Sequence, residues 1–240
     1  VILLVFILHL FWYRKNYQPV LYSKEGHSVI AATTLLSFIA GVYAVMHLPF
    51  IDFRAYRIGN NIPEQMVPPE QPVFEYVFKD KQTGEEVQSA KYLTDTVQYQ
   101  YVSVKQTNED KTKAKITDYS VFSVDGEDVT QQTFDGNKLF FIIYDVSKAS
   151  LANIEYIRAL IKSLDGQVDM MILTASSGEQ IEAFRHANQL AVPYYFADAT
   201  VLKTIIRSNP GITVWQNGTV RGMWHHRDTP SGEEVLKLLQ

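Results

Sequence analysis

Residues 138–150, KLFFIIYDVSKAS, decide how this chain is read. Leu139 to Ile143 form an unbroken apolar run of strand length. The following residues, LANIEYIRALIKSL, repeat apolar positions at helical spacing through Leu151, Ile154, Ile157, Leu160, Ile161 and Leu164. A buried strand therefore turns into a helix across YDVSKAS, and the turn carries Ser147-x-x-Ser150. Either serine is placed to cap the helix from about Leu151 by accepting a hydrogen bond from an otherwise unpaired backbone N–H.

The flanking stretches extend the pattern. Upstream, YSVFSVDGEDVT from Tyr119 reads as strand, Asp125-Gly126 turn and strand. Downstream, VDMMILTAS is another buried strand, SGEQIEAFRHANQL an amphipathic helix, VPYYFAD a short strand and TVLKTIIRS a further helix. In NPGITVWQNGTVRGMWHH, two strands flank Asn217-Gly218, the preferred pair for a tight type I′ hairpin. SGEEVLKLLQ closes the chain as a helix with Ser231 at its N-cap. Alternating strands and helices require parallel pairing through crossovers, and the Asn-Gly hairpin is antiparallel. The expected fold class is α/β, a mixed central sheet with helices on both faces.

This order, with Pro210 just before a strand-Asn-Gly-strand hairpin, resembles the thioredoxin fold, in the branch that holds peroxiredoxins and TlpA/ResA-type thiol-disulfide oxidoreductases. YSVFSVDGEDVT looks like the lead-in hairpin of that branch, AFRHANQLAVPYYFAD like its helix running into a "vPyxxD" stretch, and NPGITVWQNGTV like its "xPtxxlxxxG". The resemblance covers residues 118–240. It implies a cis-proline at Pro210 lying against the active-site helix, and it puts the two cysteines of the family within about one residue of Ser147 and Ser150. The chain contains no cysteine. Serine forms no S–S bond and ionises far above a thiol, so Ser147 and Ser150 mark a degenerate Cys-x-x-Cys position without dithiol chemistry. No residue is expected to be catalytic, and Asp145, Lys148 and Asn209 are expected to form a docking surface around it.

Ahead of this region the character changes. SVIAATTLLSFIAGVYAVMHL, Ser28 to Leu48, runs about 21 residues without a formal charge, enough to cross a hydrocarbon core of roughly 30 Å. The opening VILLVFILHLFWY, followed by Arg14 and Lys15, reads as the second half of another span, with His9 near its interface. The chain begins inside that run without Met, so it is expected to be the C-terminal part of a longer protein. Arg14, Lys15 and Lys24 between the spans outweigh Arg54 and Arg57 after the second, which puts the loop inside and residues from about 50 onward outside the plasma membrane. The upstream loop YRKNYQP and the segment HLPFIDFRAYRIGNNI resemble the tail of bacterial DoxX/MauE-like membrane proteins that carry a thioredoxin-like domain. The expected organisation is a half-span at 1–14, a cytoplasmic loop at 15–27, a transmembrane helix at 28–49 and an interfacial collar with a Pro-rich linker at 50–72. A β-hairpin-rich connection at 73–117 and the thioredoxin-like domain at 118–240 follow. Asp52 is expected to pair with an Arg of the collar.

A formal net charge of -4 excludes the basic footprint that nucleic acid requires. No cofactor or metal is expected. His225 and His226 are adjacent on an extended strand and point apart, so they are read as surface or sheet-edge residues, and His186 is read as an i,i+4 partner of Glu182. No Gly-rich phosphate loop appears. The leading expectation is a non-enzymatic, membrane-anchored extracytoplasmic module. Its partners are the lipid bilayer, the upstream transmembrane domain of its own chain and an envelope protein. The alternatives are an accessory domain of a quinone-linked membrane thiol-disulfide oxidoreductase with cysteines upstream, and a solute-binding or sensor domain.

Overall fold

The computed structural model describes residues 24–240, in two compact units, Val1–Pro49 and Phe50–Gln240. The expected half-span at 1–14 and most of the basic loop lie outside the described residues. In the first unit α1 covers Lys24–Met46. Its stretch Gly26–Met46, 21 residues, is long and apolar enough to cross a membrane, and among the described residues no other helix is. The helix starts earlier than Ser28 because the polar turn KEGH is also helical, which an apolar window does not detect. Within it the Thr33 hydroxyl donates to the Val29 carbonyl at 2.8 Å, so this polar group needs no partner outside the helix.

The second unit runs in chain order through α2 (Ile62–Gln65), β1 (Phe74–Asp80), β2 (Glu86–Ser89), β3 (Tyr99–Gln106), β4 (Val121–Phe122), β5 (Asn137–Ile143) and α3 (Ile154–Leu164). It continues through β6 (Asp169–Thr174), α4 (Gly178–Asn188), β7 (Tyr194–Ala197), α5 (Ala199–Ile205), β8 (Gly211–Gln216), β9 (Thr219–His225) and α6 (Gly232–Leu238). Six strands form one sheet in the order β4-β7-β6-β5-β8-β9. β5, β6 and β7 pair in parallel, whereas β8 is antiparallel to both β5 and β9, and β4 is antiparallel to β7. This mixed sheet with its crossover helices is a thioredoxin-like α/β fold, and the chain that builds it has no cysteine.

Each face of the sheet has its own core. On one, Leu139, Phe141 and Ile143 of β5 meet Ile154, Ile157, Leu160, Ile161 and Leu164 of α3, together with Ile181 and Phe184 of α4 and Val235 of α6. On the other, Phe140 meets Trp215 edge-on with ring centroids 4.8 Å apart, and Tyr119 and Phe134 lie 5.8 and 6.3 Å from Trp215. α5 carries the buried Val201, Leu202 and Ile205 and is capped by Asp198, whose carboxylate accepts from the N–H groups of Thr200 and Val201. Capping also holds at α4, where Ser177 and Gln180 form a reciprocal capping box, and at α6, where Ser231 accepts from the Glu234 N–H. The β8–β9 turn places both Asn217 (φ 48°) and Gly218 (φ 74°) in the left-handed region, as a type I′ turn requires.

One expectation is corrected here, and two segments gain a defined structure. The YSVFSVDGEDVT hairpin is real but short. Only Val121–Phe122 is strand, because the Thr130 side chain takes the Val121 N–H at 2.9 Å and a 3-10 turn at Gln131–Phe134 follows. Residues 50–66, within the segment expected as an interfacial collar and linker at 50–72, form a strap on the sheet edge. The Gly59 N–H donates to Val220 O, the Val220 N–H to Asn60 O, and the Ile62 N–H to Gly218 O, at 2.8 to 3.0 Å. Tyr56 and Ile62 of this strap are core residues, 2% and 0% exposed. Finally, in the segment expected as a β-hairpin-rich connection, β1–β3 form a separate antiparallel sheet of order β2-β1-β3, an excursion from the main domain. The chain leaves at Gln65 and returns beside it, where the Lys115 and Ile116 N–H groups both donate to the Gln65 carbonyl at 3.0 Å.

Candidate functional site

The loop from Tyr144 to Ser150 is organised by one carboxylate. Asp145 Oδ1 accepts from the Ser147 N–H at 3.0 Å and from the Ser147 hydroxyl at 2.6 Å, while Oδ2 accepts from Lys148 Nζ at 2.6 Å. These bonds wind Val146–Lys148 into one 3-10 turn with Asp145 as its N-cap. Lys148 above all, then the Ser147 donors, hold the Asp145 carboxyl down to about 2. Neither serine caps the helix, contrary to expectation. Ser147 is a donor to Asp145, the Ser150 N–H goes to the Asn209 carbonyl at 2.9 Å, and α3 starts only at Ile154. Leu151, expected on the buried helical stripe, is outside the helix and 54% exposed.

The second half of the site is the Ser208-Asn209-Pro210 loop, whose Asn209–Pro210 peptide bond is cis. Asn209 ties the halves together. Its Nδ2 donates to the Asp145 carbonyl at 2.7 Å and its own carbonyl receives Ser150, so the sequence-chosen residues Asp145, Ser147, Lys148, Ser150, Asn209 and Pro210 come together, with Ser147 and Lys148 exposed and Asn209 and Pro210 buried. Asn209 is only 8% exposed, and its Oδ1 finds no hydrogen-bond partner.

Beneath this loop lie groups that sequence reasoning missed or misplaced. The Ser208 hydroxyl bonds the Pro210 carbonyl and in turn accepts from the His226 N–H at 3.0 Å. His225 and His226 are not surface residues. They are 8% and 5% exposed, with ring centroids 4.3 Å apart, because β9 ends at His225 and the 3-10 turn His226–Asp228 swings the second ring back toward the first. His225 Nδ1 accepts from the Arg227 N–H at 3.2 Å, whereas His226 Nδ1 is buried without a partner. Burial, reinforced by His225 and Arg227 and opposed by Asp228, pushes the His226 imidazole down to about 4, so it is neutral at physiological pH. Ser176 also belongs to the site, its Oγ accepting from the Val146 N–H at 3.0 Å. Only the parallel register that puts Ile143 beside Thr174 brings it there, and no local motif announces it.

The arrangement leaves the Ser147 hydroxyl without a base poised to activate it. Activation of the Ser147 hydroxyl needs a base near neutrality, and a carboxylate titrating at about 2 with its oxygens already engaged is a poor one. His186 is occupied elsewhere, 3.0 Å from Glu182 as the i,i+4 spacing predicts. Among the described residues no three His, Cys, Asp or Glu side chains converge as a metal site. What the surface offers is an exposed ammonium on Lys148 and an exposed Ser147, while the unpartnered Asn209 Oδ1 is buried.

No family model and no curated protein sequence matches the chain. Among solved structures the chain is similar to the thioredoxin domain of a thiol-disulfide oxidoreductase from Bacteroides vulgatus, with 13% identity over 51% of this chain and 93% of that one and a TM-score of 0.40. It is also similar to StoA from Bacillus subtilis, with 11% identity over 51% and 96% of the two chains and a TM-score of 0.37. A thiol peroxidase from Chromobacterium violaceum aligns with 16% identity over 52% and 83%, at a TM-score of 0.38. The strand order and the loops that join Asp145 to Asn209, not these alignments, carry the assignment of the fold.

Proposed function

We propose that the thioredoxin-like domain is a redox-silent docking module. It is held by α1 at the outer face of a bacterial plasma membrane as part of a multi-pass DoxX/MauE-like protein, and it binds its partner through Asp145, Ser147, Lys148, Ser150, Asn209 and Pro210. The partner is either the membrane domain of its own chain or an envelope protein presenting an extended segment. The carrying observation is that the loop between β5 and α3 keeps its tie to the Asn209-Pro210 loop while serines and a charge-paired aspartate occupy it and the chain has no cysteine. A fold kept for disulfide exchange alone would have no use for that surface once the thiols were gone. The exposed Lys148 ammonium supplies a donor for a bound backbone.

The reading is tested on the full chain in two steps. Insulin reduction with dithiothreitol as electron donor is expected to run at the uncatalysed rate, and turnover above it would overturn the proposal. A photo-crosslinking residue at Lys148 in native membranes is expected to yield a discrete adduct that the same residue at Lys237 does not. Identical adduct patterns from the two positions would count equally against it.

A further inference from the structure

The strap at 50–66 has an inverted pattern for a segment in water. Asp52, Arg54 and Tyr56 turn toward the domain, whereas Ile51, Phe53 and Ile58 turn outward with 70%, 88% and 57% exposure. The inward polar pair is well held. Arg54 Nε donates to Asp52 Oδ1 at 2.8 Å and Arg54 Nη1 to the Ile205 carbonyl at 2.9 Å, closing the C-terminal end of α5, and Arg207 adds to the positive field on Asp52. An ion pair half withdrawn from solvent beside a Phe left almost wholly exposed is the reverse of what water selects, and contiguous exposed apolar side chains mark a contact surface.

We infer that Ile51, Phe53 and Ile58 form a lipid-contact face that seats the thioredoxin-like domain on the bilayer surface, with Arg57 at headgroup level. The occupant follows from chain continuity. α1, the helix suited to cross a membrane, ends at Met46, and a chain extending at most about 3.4 Å per residue gives Ile51 no more than about 17 Å of reach from that end. The headgroup zone outside the hydrocarbon core is about 5–8 Å thick on each side, so Ile51 and Phe53 leave the membrane within reach of its interface. Interfacial segments place apolar side chains at the acyl boundary and cations in the headgroups, and Arg57 is exposed in this same strap. Because Arg54 fastens the strap to α5, and α5 leads directly into Ser208-Asn209-Pro210, a seated strap would hold the Asp145–Asn209 surface close to the lipid. The inference rests on the membrane anchoring in the proposed function, and it says where that surface is presented.

The absence of native cysteine makes the test clean. Single-cysteine variants Phe53→Cys, Ile58→Cys and, as a control 85% exposed in another part of the unit, Val97→Cys would be labelled with an environment-sensitive fluorophore in the full chain. The protein would be reconstituted in phosphatidylcholine/phosphatidylglycerol vesicles carrying an interfacial nitroxide lipid. The expected result is at least threefold stronger nitroxide quenching at positions 53 and 58 than at 97, and correspondingly weaker quenching by iodide. Phe53→Glu in the Ile58→Cys background is expected to return the label at 58 to water while circular dichroism stays unchanged. The inference is overturned if the label at 58 is as open to iodide as that at 97, or if its protection follows protein concentration, as contact with a second copy would. Carbonate extraction separates the two failures. A chain that stays in the membrane with an aqueous label at 58 loses only the lipid-contact face, whereas a chain released by carbonate loses the anchoring and with it the proposed function.

Discussion

At the scale of single residues, Asp145 sets the character of the loop where the family resemblance expects sulfur. Its carboxylate is already engaged by Ser147 and Lys148, so a thiol at position 147 would sit beside an anion, which raises a thiol pKa and slows exchange. The double variant Ser147→Cys/Ser150→Cys is therefore expected to close a disulfide under mild oxidant, leaving no titratable thiol, yet to reduce insulin slowly. Adding Asp145→Asn should speed it, and two thiols that stay free after oxidation would refute the placement of these serines at the Cys-x-x-Cys position. His226 gives a second prediction, whose sign follows from its neutral burial. Its imidazole titrates near 6.5 when unfolded and near 4 when folded, so between those values the unfolded chain binds more protons. The stability it contributes is complete above about pH 6.5 and is lost as pH falls toward 4, at most about 3 kcal/mol and less where solvent screens it. Urea midpoints at pH 7.5 and 5.0 should show a smaller acid loss for His226→Gln than for the wild type. Equal losses would place the acid sensitivity elsewhere.

At the scale of elements, what could be read from sequence was whatever a local rule determines. The stripe Ile154, Ile157, Leu160, Ile161 and Leu164 fixes α3 and its buried face, and Asn217-Gly218 fixes the β8–β9 turn. The start of α3 departs from the periodicity because the chain before it is tied to Asn209, far along the chain, and the histidine pair is buried because β9 ends at His225 and the turn that follows breaks the alternation. The strap was invisible for the same reason. Tyr56 and Ile62 follow no period, and their partners, Tyr119 and Gly218, lie far along the chain, as does Ile205, which Arg54 bonds. Gly218 tests whether the strap is seated as described. A Cβ there would lie 2.7 Å from Pro63 Cδ, at φ +74°, whereas Gly126 has a similar φ of +84° and open space around it. Gly126→Ala should cost about 1 kcal/mol from backbone strain alone, and Gly218→Ala distinctly more, because Pro63 must also move. Equal destabilisation in urea would mean that the strap does not press on the hairpin.

At the scale of the whole molecule, the thioredoxin-like domain begins about 70 residues before its resemblance does, because the strap supplies part of the second core and the small sheet is looped out between strap and domain. The Tyr56 ring lies tilted beside that of Tyr119 with centroids 6.2 Å apart, and Ile62 lies fully buried where its N–H meets the Gly218 carbonyl. Burying a side chain of this size contributes roughly 1.5–3 kcal/mol, so the two together contribute about 3–6 kcal/mol. Domains of this class have only about 5–15 kcal/mol in total, so a fragment cut at the apparent boundary gives up a large share of its stability and uncovers the aromatic face around Tyr119 and Trp215. Residues 50–240 should therefore melt in one cooperative transition, whereas residues 118–240 should melt at a clearly lower temperature or aggregate. The Tyr56 hydroxyl sharpens the comparison, since it is buried without a partner while that of Tyr119 is 3.0 Å from Thr133 Oγ1. In the 50–240 fragment Tyr56→Phe should be neutral or stabilising and Tyr119→Phe destabilising by about 1 kcal/mol. If 118–240 proved as stable as 50–240, or if Tyr56→Phe were the costlier change, the strap would be an appendage and the domain would start where its sequence resemblance does.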